Sequence, residues 1–181
     1  MSDAAVMAQP KTGDIPPPKG GAEDQPGSLD HQFISFQVAS QEYGVDIMTV
    51  REIKGWSETT MLPHSPHYMR GVLNLRGAIV PIFDLRARFG GGSTETSKTH
   101  VVIIVAVNDR TIGMLVDAVS DILSVNDDDI RAVPQTNDEV GQDYIKGLAT
   151  VGERMVALLD VGRLFELGEI NDTVSGVIDG H

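Results

Sequence analysis

Short blocks of β-branched and aromatic residues recur along the middle of this chain, and turn-forming residues separate them. Blocks of this length are typical of strands rather than helices. The longest apolar run, residues 101–107, is far shorter than the roughly 20 residues of a membrane-spanning helix. The sequence therefore predicts a mainly β domain. Its predicted strands are residues 33–38, 43–46, 72–76, 78–83, 100–107, 111–116, 119–125, 145–151 and 155–159.

Neighbouring blocks are close enough in sequence to form hairpins. The predicted turns are residues 39–42, Gly77, residues 108–110 and residues 152–154. Pro81 cannot donate a ladder hydrogen bond, so its strand is predicted to lie at a sheet edge or to be bulged there. Many short strands with brief helices indicate a sandwich or a barrel. No repeat is visible by residue identity, although the recurring blocks leave a structural repeat possible.

Helical signals are few and short. Ile47, Val50 and Ile53 recur at a three-residue spacing, which predicts one face of a short helix or turn that ends at Gly55. Asp84 is predicted to cap a short helix over residues 85–89, and Asp160 a last helix that ends near residues 167–168.

The two ends of the chain differ from its middle. Residues 1–31 hold five of the nine prolines and five acids against two bases, a net charge of −3. Such a segment buries too little apolar area to offset its ordering entropy, so it is predicted to be a flexible tail. Residues 169–181 are predicted to be a short polar tail. The domain is therefore expected to span residues 32–168.

Composition excludes several classes of function. The chain has no cysteine, which excludes disulfides, Cys-based zinc sites and cysteine nucleophiles. Its formal net charge is −12, and phosphate backbones and anionic membrane surfaces attract basic proteins. The sequence therefore predicts no nucleic-acid binding and no membrane insertion. Absent cysteine and the lack of a visible secretory signal favour the cytoplasm.

No complete catalytic or metal-binding set is visible, so we expect no catalytic residue, no metal and no cofactor. His64 and His67 are too few for a tetrahedral site, and residues 127–129 lack the spacing of a calcium loop. Residues 90–92 lack the Gly-Lys-Ser/Thr of a phosphate loop. Asp117, Asp121 and His100 leave open the alternative of a small β-barrel hydrolase or ligand carrier.

Basic residues are concentrated in one part of the chain. Six of the fourteen lysines and arginines lie between positions 51 and 88, which favours docking to acidic partners. Arg76 stands out because it lies at a strand end beside Gly77, where its planar five-donor head could bind backbone carbonyls or a partner. The six are Arg51, Lys54, Arg70, Arg76, Arg86 and Arg88.

Two segments give the chain a family resemblance. Residues 50–56 (VREIKGW) and 71–86 (GVLNLRGAIVPIFDLR) resemble the signature segments of the CheW family of bacterial chemotaxis coupling proteins. Further matches follow in order, and the resemblance covers roughly residues 32–168. It implies two packed five-stranded, SH3-like β-barrels.

The resemblance also implies a function. Members of the family are non-catalytic adaptors that join the cytoplasmic tips of chemoreceptors to the regulatory domain of the histidine kinase CheA. Such a protein would be cytoplasmic and recruited to membrane-associated receptor arrays. A CheW-like module of another signalling complex remains an alternative.

Matched residue by residue, the resemblance implies two groups of site residues. Glu52 lies between Val50 and Ile53 and is expected to project away from their apolar face. The glycines in the second group could act by shaping the backbone. The positions linked to receptor contact are Val50, Glu52, Arg76, Val101 and Gly113; those linked to partner binding are Gly71, Ile122 and Gly147.

Overall fold

A computed structural model describes residues 30–134 and 144–165 of the chain. The predicted tails, up to residue 29 and from residue 169, and the predicted helix end near residues 167–168 lie outside these ranges. Within them are eleven strands: β1 Asp30–Val38, β2 Gln41–Asp46, β3 Val50–Gly55, β4 Met69–Leu75, β5 Ala78–Asp84, β6 Val101–Val107, β7 Arg110–Val116, β8 Ala118–Asn126, β9 Ile130–Arg131, β10 Ile145–Val151 and β11 Arg154–Leu159. Two α-helices, α1 Leu85–Arg88 and α2 Val161–Leu164, and two 3-10 turns, Ile47–Thr49 and Asp127–Asp129, complete the described structure.

Tight turns join the predicted hairpins. Both residues of the β1–β2, β4–β5 and β6–β7 turns have positive φ, as in the type I′ turns that match strand twist. Asp109 and Gly77 suit this backbone, whereas Ala39 does so less readily. The β1–β2 turn is shorter than predicted, because Gln41 already belongs to β2.

Five strands form barrel B, in the order β3-β6-β7-β5-β4. The chain that follows β3 returns to β4, where Thr60 forms a bridge with Val72. The two edge strands are thereby connected, and the sheet closes on itself.

Barrel A has the order β8-β1-β2-β11-β10-β9. Its sixth strand, β9, continues β8 after a 3-10 turn and pairs with β10 through Arg131 and Leu148. Strands β8 and β9 therefore act as one bent strand that closes a five-stranded sheet. The predicted mainly β fold of two packed sheets is confirmed.

The structure reveals an internal repeat. Residues 68–89 and 144–165 align without gaps and share Tyr68/Tyr144, Gly71/Gly147, Val80/Val156, Asp84/Asp160 and Phe89/Phe165. Residues 33–53 and 102–122 also align, and both copies have a bulge between the matching pairs Val50/Val119 and Glu52/Asp121. The hairpin β1–β2 belongs to the first copy but pairs within barrel A, while β6–β7 pairs within barrel B. The two repeats thus exchange hairpins, which interlocks the barrels.

Three apolar clusters fill the molecule. The largest lies between the barrels and includes Phe36, Phe83, Met114 and Leu164. Barrel A is filled by Phe33, Leu123, Val125, Ala149, Val156 and Leu158. Barrel B is filled by Leu73, Val80, Ile82, Val102, Ile104 and Leu115.

Two local predictions need correction. Residues 50–55 form strand β3 rather than a helical face, and only Ile47–Thr49 make a 3-10 turn. Pro81 lies on β5, between β4 and β7, rather than on an edge strand. Its partner Val72 directs its backbone N–H and C=O to Thr60, so the Val72–Pro81 pair exchanges no ladder hydrogen bond and needs no proline donor.

Candidate functional site

An exposed ion pair joins edge strand β3 of barrel B to the β4–β5 turn. Arg76 Nη2 donates to Glu52 Oε2 at 3.0 Å, and the side chains are 82% and 33% exposed. Arg76 occupies the β4–β5 turn with a φ of 54°, and Gly77 N–H donates to Asn74 Oδ1 in the same turn. Because an exposed ion pair contributes only about 0–1 kcal/mol, both groups can exchange this contact for a partner at small cost.

Two of the predicted valines lie at the rim between the barrels. Val50 pairs with Val105, and Val101 pairs with Val116. Val105 and Val116 are both buried. Val50 and Val101 are themselves only partly buried and pack against the interbarrel cluster. They provide apolar surface on β3 and β6 of the barrel that carries the Glu52–Arg76 pair.

Gly113 lies inside barrel B rather than on its surface. A Cβ atom there would overlap Ile82 Cδ1 and approach Val102 Cγ1 to 2.9 Å. These two side chains fill the barrel, so Gly113 leaves the space that they occupy. Its contribution is to packing, and a substitution would act on any partner contact only through the fold.

Gly71 and Gly147 are equivalent in the repeat and both shape the backbone. Gly71 has a φ of 136°, and a Cβ atom would overlap the carbonyl oxygen of Thr60. At Gly147 a Cβ atom would lie 2.7 Å from Ile130 Cγ2. Each glycine therefore lies where its barrel closes, next to the strand that completes the sheet.

Ile122 is an exposed apolar residue on barrel A. It is 56% exposed on β8, and its repeat equivalent Ile53 is 43% exposed on β3. Among residues 30–134 and 144–165, no arginine forms an ion pair with the neighbouring Asp121, whose Oδ1 accepts the backbone N–H of Ile122. The predicted site residues are thus divided between the barrels, with Glu52 and Arg76 on one and Ile122 on the other.

The concentrated arginines do not form one basic face. Arg70 lies 4.0 Å from the buried Asp84 carboxylate and over the Trp56 ring. Arg86 Nε donates to the carbonyl of Gly91, and Arg88 lies between the barrels. Tertiary contacts therefore direct neighbouring basic residues to different parts of the molecule.

His100 and Asp117, two candidates for hydrolysis, lie together. His100 Nε2 is 3.5 Å from Asp117 Oδ1, and His100 Nδ1 is 3.0 Å from Ser97 Oγ. The backbone N–H of Ser97 also donates to Nδ1 at 3.0 Å, so this nitrogen is occupied as an acceptor and holds the loop closed. Asp117 Oδ2 accepts the backbone N–H of Ala39, which favours a structural role for this pair. Asp121 is elsewhere, on β8 opposite Ser35.

The described ranges contain no group of three or more His, Cys, Asp or Glu side chains placed to hold a metal ion. No helix in residues 30–134 or 144–165 is long and apolar enough to cross a membrane.

One feature was not predicted from sequence. A cleft of about 280 Å³ opens where β2, β6, β11 and α2 meet, and Asp46, Asn108, Lys146 and Asp160 contribute its polar lining. Its residues come from both barrels and lie far apart in sequence. Only the paired hairpin exchange brings them together, so no local pattern could reveal the cleft.

Comparisons with known proteins identify the family. A family model described as a CheW-like domain matches residues 32–169. The probable chemotaxis protein CheW of Rhizobium etli is 43% identical over 136 residues, which are 75% of this chain and 88% of that protein. The chemotaxis protein CheW of Rhizobium meliloti is 43% identical over 134 residues, 74% of this chain and 86% of that protein.

A solved structure agrees with the family model and with these two relatives. The scaffolding protein TtCheW from Thermoanaerobacter tengcongensis has a TM-score of 0.71 and 30% identity, and the match covers 78% of this chain and 96% of that one. Sequence and fold therefore each match this family over about three quarters of the chain. On this evidence the chain belongs to the CheW family of chemotaxis proteins.

Proposed function

We propose that this chain is a non-catalytic adaptor that couples the cytoplasmic tips of chemoreceptors to the histidine kinase CheA. The observation that carries the proposal is the exposed Glu52–Arg76 pair on barrel B, which also carries the partly buried Val50 and Val101, with the exposed Ile122 on the other barrel. One molecule thus presents two separate surfaces, as a bridging protein requires. The relatives named chemotaxis and scaffolding proteins support the same role.

The receptor surface is assigned to barrel B and the groove between the barrels. A receptor helix would bury apolar side chains against Val50 and Val101. Glu52 and Arg76 would fix its register through charged contacts at the rim of the interface. Gly113 would support this surface from inside the barrel, by allowing the strands to pack.

The kinase surface is assigned to barrel A. Ile122 offers an exposed apolar contact on β8, and Gly71 and Gly147 maintain the closure of the two barrels. The regulatory domain of CheA is the proposed partner there. Binding on opposite barrels would allow receptor and kinase to be held at the same time.

The binding unit is proposed to be the domain predicted over residues 32–168, to which strand β1 adds Asp30 and His31 at its start. The protein is proposed to act in the cytoplasm, recruited to receptor arrays, without a cofactor and without binding nucleic acid.

Amide shift mapping by NMR tests the proposal directly. A receptor fragment and the CheA regulatory domain are added separately to the labelled chain. Two distinct footprints, one near Arg76 and the other near Ile122, would support bridging. Overlapping footprints, or no binding of either partner, would contradict it. Substrate turnover in a hydrolase screen, lost in His100→Ala, would instead support the hydrolase alternative.

A further inference from the structure

Arg88 lies where the two repeats meet. Its equivalent in the second copy is Leu164, the last residue of α2. Arg88 Nε donates to the carbonyl oxygen of this Leu164 at 3.2 Å. Since α1 follows a strand of barrel B and α2 follows a strand of barrel A, this hydrogen bond connects the barrels. It also satisfies a carbonyl at the end of a helix, where no intrahelical donor is available.

The guanidinium of Arg88 also lies between two equivalent tyrosines. Its Cζ is 5.1 Å from the ring centre of Tyr68 and 6.0 Å from that of Tyr144. Tyr68 precedes β4 of barrel B, and Tyr144 precedes β10 of barrel A. One cation is thus within interaction distance of one aromatic ring from each barrel.

The surroundings of Arg88 are aromatic and come from both barrels. The ring centre of Phe89 lies 5.2 Å from that of Tyr144 and 4.9 Å from that of Tyr43. The ring centres of Phe83 and Phe165 are 4.8 Å apart. The exchanged hairpins and these apolar contacts hold the barrels together, but apolar contacts are only weakly directional. A planar guanidinium with fixed donors adds the missing directionality.

We propose that Arg88 is a positioning residue that sets the orientation of the two barrels. In doing so it sets the shape of the groove between them, and this second part rests on the proposed function, which assigns the receptor to that groove. The repeat makes the role specific to one copy, because the side chain of Leu164, at the equivalent position, has no hydrogen-bond donor. Arg88 therefore acts as a single asymmetric clamp.

The test compares Arg88→Ala with Arg86→Ala in the full-length chain. Both changes remove an arginine from the same short helix, but the side chain of Arg86 donates to Gly91 in the loop that follows this helix, whereas that of Arg88 donates to Leu164. Residual dipolar couplings of the backbone amides report the relative orientation of the barrels. We expect separate alignment tensors for the two barrels in Arg88→Ala and one shared tensor in Arg86→Ala and in the unsubstituted chain.

The pKa of Tyr144 gives a second readout, because loosening of the barrels and loss of the Arg88 charge alone would shift it in opposite directions. Burial raises the pKa of Tyr144, the nearby Tyr43 raises it further, and Arg88 lowers it. If the barrels loosen in Arg88→Ala, water reaches the ring and its pKa falls towards the ordinary value. If the barrels stay fixed, only the favourable charge is lost and the pKa rises. A ¹³C-tyrosine titration, assigned with Tyr144→Phe, separates these results.

One shared tensor together with an unchanged or raised Tyr144 pKa in Arg88→Ala would overturn the proposal. If Arg88→Ala does not fold, Arg88→Lys applies the same test, because lysine keeps the charge but cannot place a guanidinium donor at Leu164. Both measurements use the protein alone. If Arg88→Ala gives the expected tensors and pKa but the unsubstituted chain binds no receptor fragment, the proposed function is contradicted. The proposed role of Arg88 in orienting the barrels then still stands.

Discussion

Glu52 on edge strand β3 and Arg76 in the β4–β5 turn lie 24 residues apart in sequence, and their side chains meet at 3.0 Å. Their contact is exposed, so it adds little to stability and leaves both side chains accessible to a partner. The same geometry makes the pair separable from the fold, which allows binding and stability to be tested independently.

Arg76→Ala is expected to change the free energy of unfolding by less than about 1 kcal/mol, because the lost ion pair is exposed. Receptor-controlled kinase activity should fall sharply, since the rim loses its donor. Urea unfolding and a reconstituted kinase assay measure the two effects. Arg154→Ala removes another arginine–glutamate pair, Arg154–Glu42 of barrel A, and is the control for loss of an arginine elsewhere. Full receptor control by Arg76→Ala would contradict the assignment.

Glu52→Lys is expected to impair receptor binding more than stability, because it places a second positive charge beside Arg76. The double variant Glu52→Arg with Arg76→Glu rebuilds the ion pair in reverse. If binding depends on the individual charges, the reversed pair folds normally and still fails to bind a receptor fragment. Recovery of full affinity would show instead that only the pair itself matters, and unfolding of Glu52→Lys would place Glu52 in the fold.

Gly113→Ala is expected to destabilise the protein by about 1–3 kcal/mol, because the new methyl group overlaps side chains inside barrel B. Gly55→Ala is the control, since no heavy atom lies within 4 Å of a Cβ atom at that position. Thermal unfolding compares the two. A stable Gly113→Ala variant that loses receptor binding would contradict a packing role for Gly113.

Asp84 and Asp160 occupy equivalent positions in the repeat, but they should differ in their contribution to stability. The Asp84 carboxylate is buried and accepts hydrogen bonds from Arg86, Ala87 and Thr94. Asp84→Ala leaves these donors unpaired and is expected to cost about 3 kcal/mol. Asp160→Ala removes an exposed helix cap and should cost about 1 kcal/mol. Equal losses in urea unfolding would refute this difference.

The raised pKa values of Tyr43 and Tyr144 predict a loss of stability at alkaline pH. Burial raises the pKa of both phenols above the ordinary value of 10.0. The folded state therefore binds these protons more tightly than the unfolded state does. The contribution of the two protonated tyrosines to the free energy of unfolding is complete below about pH 10. It is lost as the pH rises through the raised pKa values. Urea unfolding above and below pH 10 should show this loss, which Tyr43→Phe and Tyr144→Phe should each reduce.

Local sequence determined most of the strands, the tight turns and the two aspartate caps, whereas β3 and β9 were not predicted as strands. Alternating β-branched residues beside Asn108-Asp109 or Gly77 specify a hairpin whatever surrounds it, because the turn requires positive φ and the strands require a buried face. The family segments carried the fold further, to two packed barrels. They also located Glu52 and Arg76, which the structure joins, and Gly113, whose role depends on its neighbours inside the barrel.

Only the tertiary structure decided how these pieces combine. The exchange of hairpins between repeats places β1–β2 with strands more than 80 residues away, and His100, Asp117 and Asp121 illustrate the result: two of them meet and the third does not. The six neighbouring basic residues likewise separate, with Arg76 at an exposed rim and Arg88 between the barrels. Side-chain surroundings of this kind depend on long-range pairing, which no window of local sequence contains.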